Sequence, residues 1–243
     1  MEQTVGAGSI WELAQDAIFP RGAFDAAPMQ MAACLSLGGV QDDADILDLP
    51  CGPGRHSLPL ARVGHRVVAV DCTARYLDAI VERREPEMSL EVVQADMREF
   101  VREDAFDLAL NLYTSFGYFE DIEDDRRVLS NLRRSVRAGG SLVMDLMSRE
   151  IMERAFAPAR ERPVSGGTLR EESSLSEHGW MQSTWTLVRD GQTHAFDMSL
   201  RLYTAEQLGQ ALRDAGFEDV RVFGGFDRRP WDGDSARLVV VGR

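Results

Sequence analysis

The chain has 243 residues, 44% of them hydrophobic and 28% charged, and a net charge of −13. That length suits one large domain, or one domain with a small inserted lobe, and is enough to bury a sizeable core. The acidic balance argues against nucleic acid, whose partners draw affinity from clustered positive charge, and no apolar run approaches the roughly 20 residues that cross a bilayer.

The opening MEQTVGAGSI carries an acidic residue and no apolar signal core, so no secretory signal is expected, and a cytoplasmic protein is. Ser9 is placed to cap a helix with Ile10, Leu13, Ala14 and Ala17 on one face. Pro20 and Gly22 break it, and a second apolar helix runs from about Phe24 to Leu37, ending at Gly38-Gly39. Residues 1–44 are thus predicted to form an N-terminal helical unit.

Over residues 45–147 short apolar runs alternate with helical segments. The runs are Ile46–Leu49, Arg66–Val70, Leu90–Val93, Phe106–Leu110 and Ser141–Leu146; the helices include Arg55–Val63, Arg75–Arg83 and Ile122–Val136. In the last helix Ile122, Leu129, Leu132 and Val136 share a face. Continuous apolar strands between helices mean a parallel sheet covered on both sides. The rhythm changes over residues 148–203, where Thr168 to Tyr203 alternates polar and apolar around Asp190-Gly191, a hairpin signal. This predicts an antiparallel β cap inserted after the fifth strand. Residues 204–243 return to the α/β pattern: a capping box Thr204-x-x-Gln207, a stripe of Leu208, Ala211, Leu212 and Ala215, then strands Val220–Phe223 and Arg237–Val241.

Three cysteines, Cys34, Cys51 and Cys72, are too scattered for a disulfide framework, and no His/Cys/Asp cluster has metal spacing, so no metal is predicted. All 27 basic residues are arginine, which excludes a lysine Schiff base, a pyridoxal-phosphate anchor and a P-loop lysine.

The segment Ile46-Leu-Asp48-Leu-Pro50-Cys51-Gly52-Pro53-Gly54-Arg55-His56 falls where the first strand meets the first helix. In a doubly wound sheet that is where ligands bind. Two glycines let the chain turn sharply and lie against a ligand, and the helix start offers free N–H groups. A dinucleotide fingerprint requires a third glycine where this chain has Ser57. Asp48 followed by this loop resembles instead the D-x-G-x-G-x-G of class I S-adenosylmethionine-dependent methyltransferases, with Pro50 in place of the first glycine.

That resemblance implies a Rossmann-like, seven-stranded, mostly parallel sheet with helices on both faces, and S-adenosyl-L-methionine as cofactor. Asp71, ending VVAVD, resembles the acidic residue that grips the ribose hydroxyls; Asp96-Met97 resembles the adenine clamp; Asn111 and Leu112 fall beside the methionine moiety. By the same resemblance Pro50, Cys51, Gly52, Gly54 and Cys72 border the cofactor, with Trp11 and Arg21 closing over it from the N-terminal side. LPCGPGRHS, the SFGYF run and RLYTAEQL together look like a subgroup of small-molecule methyltransferases with an antiparallel cap.

The acceptor is then expected to be a small metabolite, methylated on nitrogen or oxygen. Tyr113, Ser115, Phe116, Tyr118, Trp180 and Arg201 are candidates to bind it, and Tyr113, Tyr118, His178 and His194 for proton transfer. Trp180 and Trp185 differ by five positions, so at most one should reach the cleft. Simpler readings stand beside these. Asp48, Asp71 and Asp96 could only cap helices, Phe116 could be core, and Arg201 with Tyr203 could be a hinge. An NAD-dependent oxidoreductase and a degenerate, non-catalytic binding protein are the competing functions. Homodimerisation is left open by the sequence.

Overall fold

The computed structural model describes residues 9–243; the first eight residues of the predicted N-terminal unit lie outside them. In chain order the elements are α1 (Ile10–Leu13), α2 (Gln15–Ile18), α3 (Arg21–Asp25), α4 (Ala27–Gly38), β1 (Asp45–Asp48), α5 (Ser57–Arg62), β2 (Arg66–Asp71), α6 (Ala74–Arg83), β3 (Leu90–Gln94), β4 (Phe106–Asn111), α7 (Ile122–Ser135) and β5 (Val136–Leu146). There follow α8 (Arg149–Ala155), β6 (Ala159–Val164), β7 (Gly167–Leu175), β8 (Trp180–Arg189), β9 (Gln192–Arg201), α9 (Ala205–Asp214), β10 (Val220–Phe223) and β11 (Leu238–Gly242).

Consecutive residues of each central strand feed opposite layers, which is why the strands read as unbroken apolar runs. Ile46, Val67 and Val143 face α4, α5 and α6; Leu47, Val68 and Met144 face α7 and α9. The sheet runs β10-β11-β5-β4-β1-β2-β3, parallel except where β11 pairs with β5 and β10. Strand order reverses between β1 and β4, so their carboxyl ends open a crevice. Thr204 and Gln207 form the expected capping box at α9.

The second sheet, β6-β7-β8-β9, is antiparallel throughout. Asp190 at φ 51° and Gly191 at φ 74° turn β8 into β9, matching the left-handed pair of a tight hairpin. Its Leu169, Trp185, Leu187, Phe196 and Met198 pack on Ile10, Ala14, Ala17 and Ile18, so the N-terminal helices are held between the cap and the core.

Within residues 148–203 the alternating run from Thr168 is preceded by α8 and by a further cap strand, β6. Two local expectations are corrected. Ile122 is 39% exposed rather than on the buried stripe, because it is the first residue of α7, where the helix has no turn before it to press on the sheet. Ser9 precedes α1 but its hydroxyl makes no capping bond.

Candidate active site

The loop after β1 is built on two buried carboxylates. Asp48 is 1% exposed and accepts a hydrogen bond from Ser57 Oγ at 2.5 Å, tying the end of β1 to the start of α5. Asp71 accepts the Gly52 N–H on one oxygen and the Thr73 N–H on the other, both at 2.8 Å. It therefore closes the loop against the end of β2 and fixes the turn that leads into α6. Gly54 has φ 77°, and a Cβ there would stand 2.6 Å from Ile80 Cγ1; only glycine lets the loop lie so close to α6.

Burial pushes the Asp48 carboxyl from its ordinary 3.8 up to about 7, with the Ser57 bond and the Arg55 charge pulling it back. The folded state thus binds this proton more tightly than the unfolded chain. Stability from this group is present at low pH and is lost as pH rises between 3.8 and about 7. Asp125, raised to about 6, acts in the same sense; His56, lowered to about 3 by burial, acts in the opposite one. The readout is accordingly a difference between proteins. Asp48→Asn is expected to flatten the fall in thermal midpoint between pH 4 and 7, and parallel curves for variant and wild type would place the proton elsewhere.

At the end of β4, Asn111 is fully buried and donates Nδ2 to the Leu49 carbonyl at 2.9 Å, while its Oδ1 has no partner. Leu112 is buried in the core. Tyr113 and Thr114 then adopt left-handed backbone, φ 67° and 59°. Such a conformation costs roughly 1–2 kcal/mol for each non-glycine residue, so the surroundings must impose it. The Tyr113 ring stacks on Phe19 at 5.7 Å, the Arg55 guanidinium lies 4.7 Å above it, and its hydroxyl donates to the Ile18 carbonyl at 3.1 Å. Phe19 in turn meets Tyr76 edge-on and covers Gly52. Tyr76 holds Trp11 by a bond to its carbonyl at 2.5 Å, and Trp11 meets Tyr118 edge-on at 5.7 Å. Burial raises the Tyr118 phenol to about 12.

Asp48, Gly52, Gly54, Asp71, Asn111, Tyr113, Tyr118 and Trp11 are therefore brought to one crevice. Cys51 is buried in the loop; Cys72 follows Asp71 and is half-buried. Asp96 lies at the rim but is occupied: it accepts the Arg98 backbone N–H together with Nε and Nη2 of the Arg98 guanidinium. Arg98 also reaches Asp124 and lies over Phe119, and Met97 packs against the core.

Other expected residues are placed elsewhere. Phe116, expected in the acceptor wall, is 2% exposed inside the core against Tyr203, because Gly117 pairs with Arg201 and turns the ring inward. Ser115 spends its hydroxyl on the Leu112 carbonyl. Trp180 and Arg201 lie on the cap face opposite Trp185, Phe196 and Met198. Arg201 stacks on Trp180 and binds the buried Asp125, which Tyr203 also binds, so the pair ties the end of the cap to α7. His178 is exposed in the turn before β8, and His194 lies toward the far hairpin end of β9. Arg21 is exposed; Arg55 is the guanidinium that enters, held by Gln30 and the Ala23 carbonyl. Sequence reasoning passed over Arg55 although it adjoins the glycine loop. Among the described residues no cluster of three or more metal-binding side chains occurs, and no helix is long and apolar enough to cross a membrane.

Residues 46–140 match the family described as a methyltransferase domain. A cypemycin N-terminal methyltransferase from Streptomyces sp is 26% identical over 204 residues, 82% of this chain and 83% of that protein. A glycine/sarcosine N-methyltransferase from Aphanothece halophytica is 24% identical over 185 residues, 74% and 69% of the two chains. The solved S-adenosylmethionine-dependent methyltransferase of Clostridium acetobutylicum shares the fold at a TM-score of 0.78, with 16% identity over 95% of each chain. The core thus carries a stretch that matches a methyltransferase domain, set within a fold that this chain shares with a solved S-adenosylmethionine-dependent methyltransferase.

Proposed function

We infer that the enzyme transfers a methyl group to an amine nitrogen of a small molecule. The observation that carries this is the enclosure: Trp11, Tyr118 and Tyr113 stand between the glycine loop and the cap face bearing Trp185, Phe196 and Met198. Such a wall fits a compact, largely apolar acceptor and excludes water, and the net charge of −13 speaks against nucleic acid. The Aphanothece relative is named a glycine/sarcosine N-methyltransferase and the Streptomyces relative an N-terminal methyltransferase, which favours an amine nitrogen over oxygen. In this reading residues 9–44 form the lid, residues 148–203 the acceptor lobe, and residues 45–147 with 204–243 the cofactor core. Three free cysteines support a cytoplasmic setting.

The residues fit the cofactor on their own chemistry. The orphaned Asn111 Oδ1 offers an acceptor at the end of β4, and Asp71 keeps lone pairs beyond its two backbone bonds for a ribose diol. A nicotinamide dinucleotide fits less well, since Ser57 stands where the third glycine belongs and bonds to Asp48. When bound, the cofactor supplies an electrophilic methyl group. The protein's share is alignment and exclusion of water, because charge diminishes as the bond forms. The oxygen of the Tyr118 phenol, kept protonated by burial, can accept an N–H of the amine and so orient the nitrogen while leaving its lone pair free to attack.

Isothermal titration with S-adenosylhomocysteine beside NAD tests the cofactor, and a panel of amino sugars, amino acids, peptide α-amines and phenols tests the acceptor. Micromolar binding of the first ligand and methylation of amines are expected. Binding of NAD alone would overturn the cofactor reading, and methylation confined to phenols would overturn nitrogen.

A further inference from the structure

Two consecutive left-handed residues, Tyr113 and Thr114, follow β4, and nothing in a tyrosine or a β-branched threonine favours that backbone. Asp145, near the end of β5, imposes it. Its carbonyl accepts the Thr114 N–H at 2.9 Å and its carboxylate accepts the Tyr113 N–H at 3.2 Å. That carboxylate is 3% exposed, and its charge is answered by a two-pronged guanidinium. Arg237 Nε donates to Oδ1 at 2.7 Å, and a second arm of the same guanidinium binds Oδ2. Arg237 immediately precedes β11, whose Val239 sits opposite Asp145, so the partner comes from the last strand of the sheet. Fork geometry fixes the carboxylate plane, and with it the oxygen that holds Tyr113.

The turn so held is one of the contacts on which the N-terminal helices rest. Tyr113 bonds the Ile18 carbonyl and stacks on Phe19, and Phe19 lies 3.1 Å from where a Cβ on Gly52 would stand. We propose that Asp145 and Arg237 are positioning residues: the pair holds the Tyr113-Thr114 turn left-handed and thereby seats the N-terminal segment over the cofactor loop. The ion pair touches neither cofactor nor acceptor and acts through Tyr113. The idea rests on the cofactor lying against Gly52, as read above.

Arg237→Gln removes the counter-ion and keeps a hydrogen-bonding side chain. Amides of residues 10–19 are expected to exchange with deuterium roughly tenfold faster than in wild type, while β1 and β2 stay protected. With a turned-over amine, kcat/KM for S-adenosylmethionine should fall about tenfold at temperatures well below unfolding. Adding Thr114→Gly, which accepts the left-handed backbone freely, should restore part of both losses. Arg237→Lys, with charge but no fork, should fall between. A pair that merely stabilises the sheet would lower the thermal midpoint yet leave exchange of residues 10–19 and kcat/KM within twofold of wild type. That result overturns the proposal, as does a Thr114→Gly addition that restores nothing. Failure of the wild type to bind S-adenosylhomocysteine would count against the cofactor reading instead, since the exchange measurement needs no ligand.

Discussion

Asp71→Ala is expected to weaken S-adenosylhomocysteine binding by about a hundredfold and to lower the thermal midpoint at the same time. Two charge-assisted bonds to a ribose diol, at about 1.5 kcal/mol each, account for two decades of affinity. The stability loss has a separate cause. Asp71 is the shared acceptor for the Gly52 and Thr73 N–H groups, and alanine leaves both buried donors unmatched, each at roughly 1–3 kcal/mol. Titration calorimetry and thermal unfolding on one preparation separate the two effects. Asp71→Asn sharpens the comparison, since it keeps the shape and one acceptor oxygen. Unchanged affinity in a folded Asp71→Ala protein would mean that the ribose is held by another group.

Gly117→Ala should strongly destabilise the junction between the 116–119 loop and the cap sheet. The residue has φ 98°, and a Cβ there would stand 2.4 Å from the Arg201 carbonyl oxygen, a backbone atom with no freedom to swing away. The same strand contact carries the Arg201 N–H to the Gly117 carbonyl at 2.7 Å, the bond that joins the cap to the loop before α7. A left-handed alanine alone costs about 1–2 kcal/mol, and displacement of the cap strand adds to it, so a loss near 3 kcal/mol is expected. For a chain this long that is a fall of roughly 6–12 °C in thermal midpoint. A midpoint within two degrees of wild type would show that the 116–119 loop can shift without unseating the cap.

Legibility followed the range of the interactions. Asp48, Gly52, Gly54 and Asp71 are recognisable because strand, loop and helix start are local, and each residue type is dictated by its neighbours. The parity argument for Trp180 and Trp185 also holds, since they lie on opposite faces of β8. Which face meets the N-terminal helices is decided by docking, and docking leaves no local trace. The Arg237–Asp145 pair spans 92 residues and links two strands whose adjacency is a matter of topology. Phe116 and Tyr118, two positions apart, read alike as aromatic loop residues; the Gly117 pairing with Arg201 sends one into the core and leaves the other at Trp11. Strand β6 escaped notice because Ala159–Val164 reads ARERPV, mostly exposed, with no apolar alternation.

That composition serves the molecule in a different way. β6 is the outermost strand of the cap sheet, bonded on one side only to β7, and its free side presents an unpaired row of peptide groups. A flat apolar strand there would be a template for another chain to extend into a shared sheet. Here Pro163 removes one donor from the row, and Arg160 and Arg162 flank it with charge, Arg162 tied down to the Ala17 carbonyl. The margin of the cap can therefore stand in water without recruiting a neighbour into a β-aggregate.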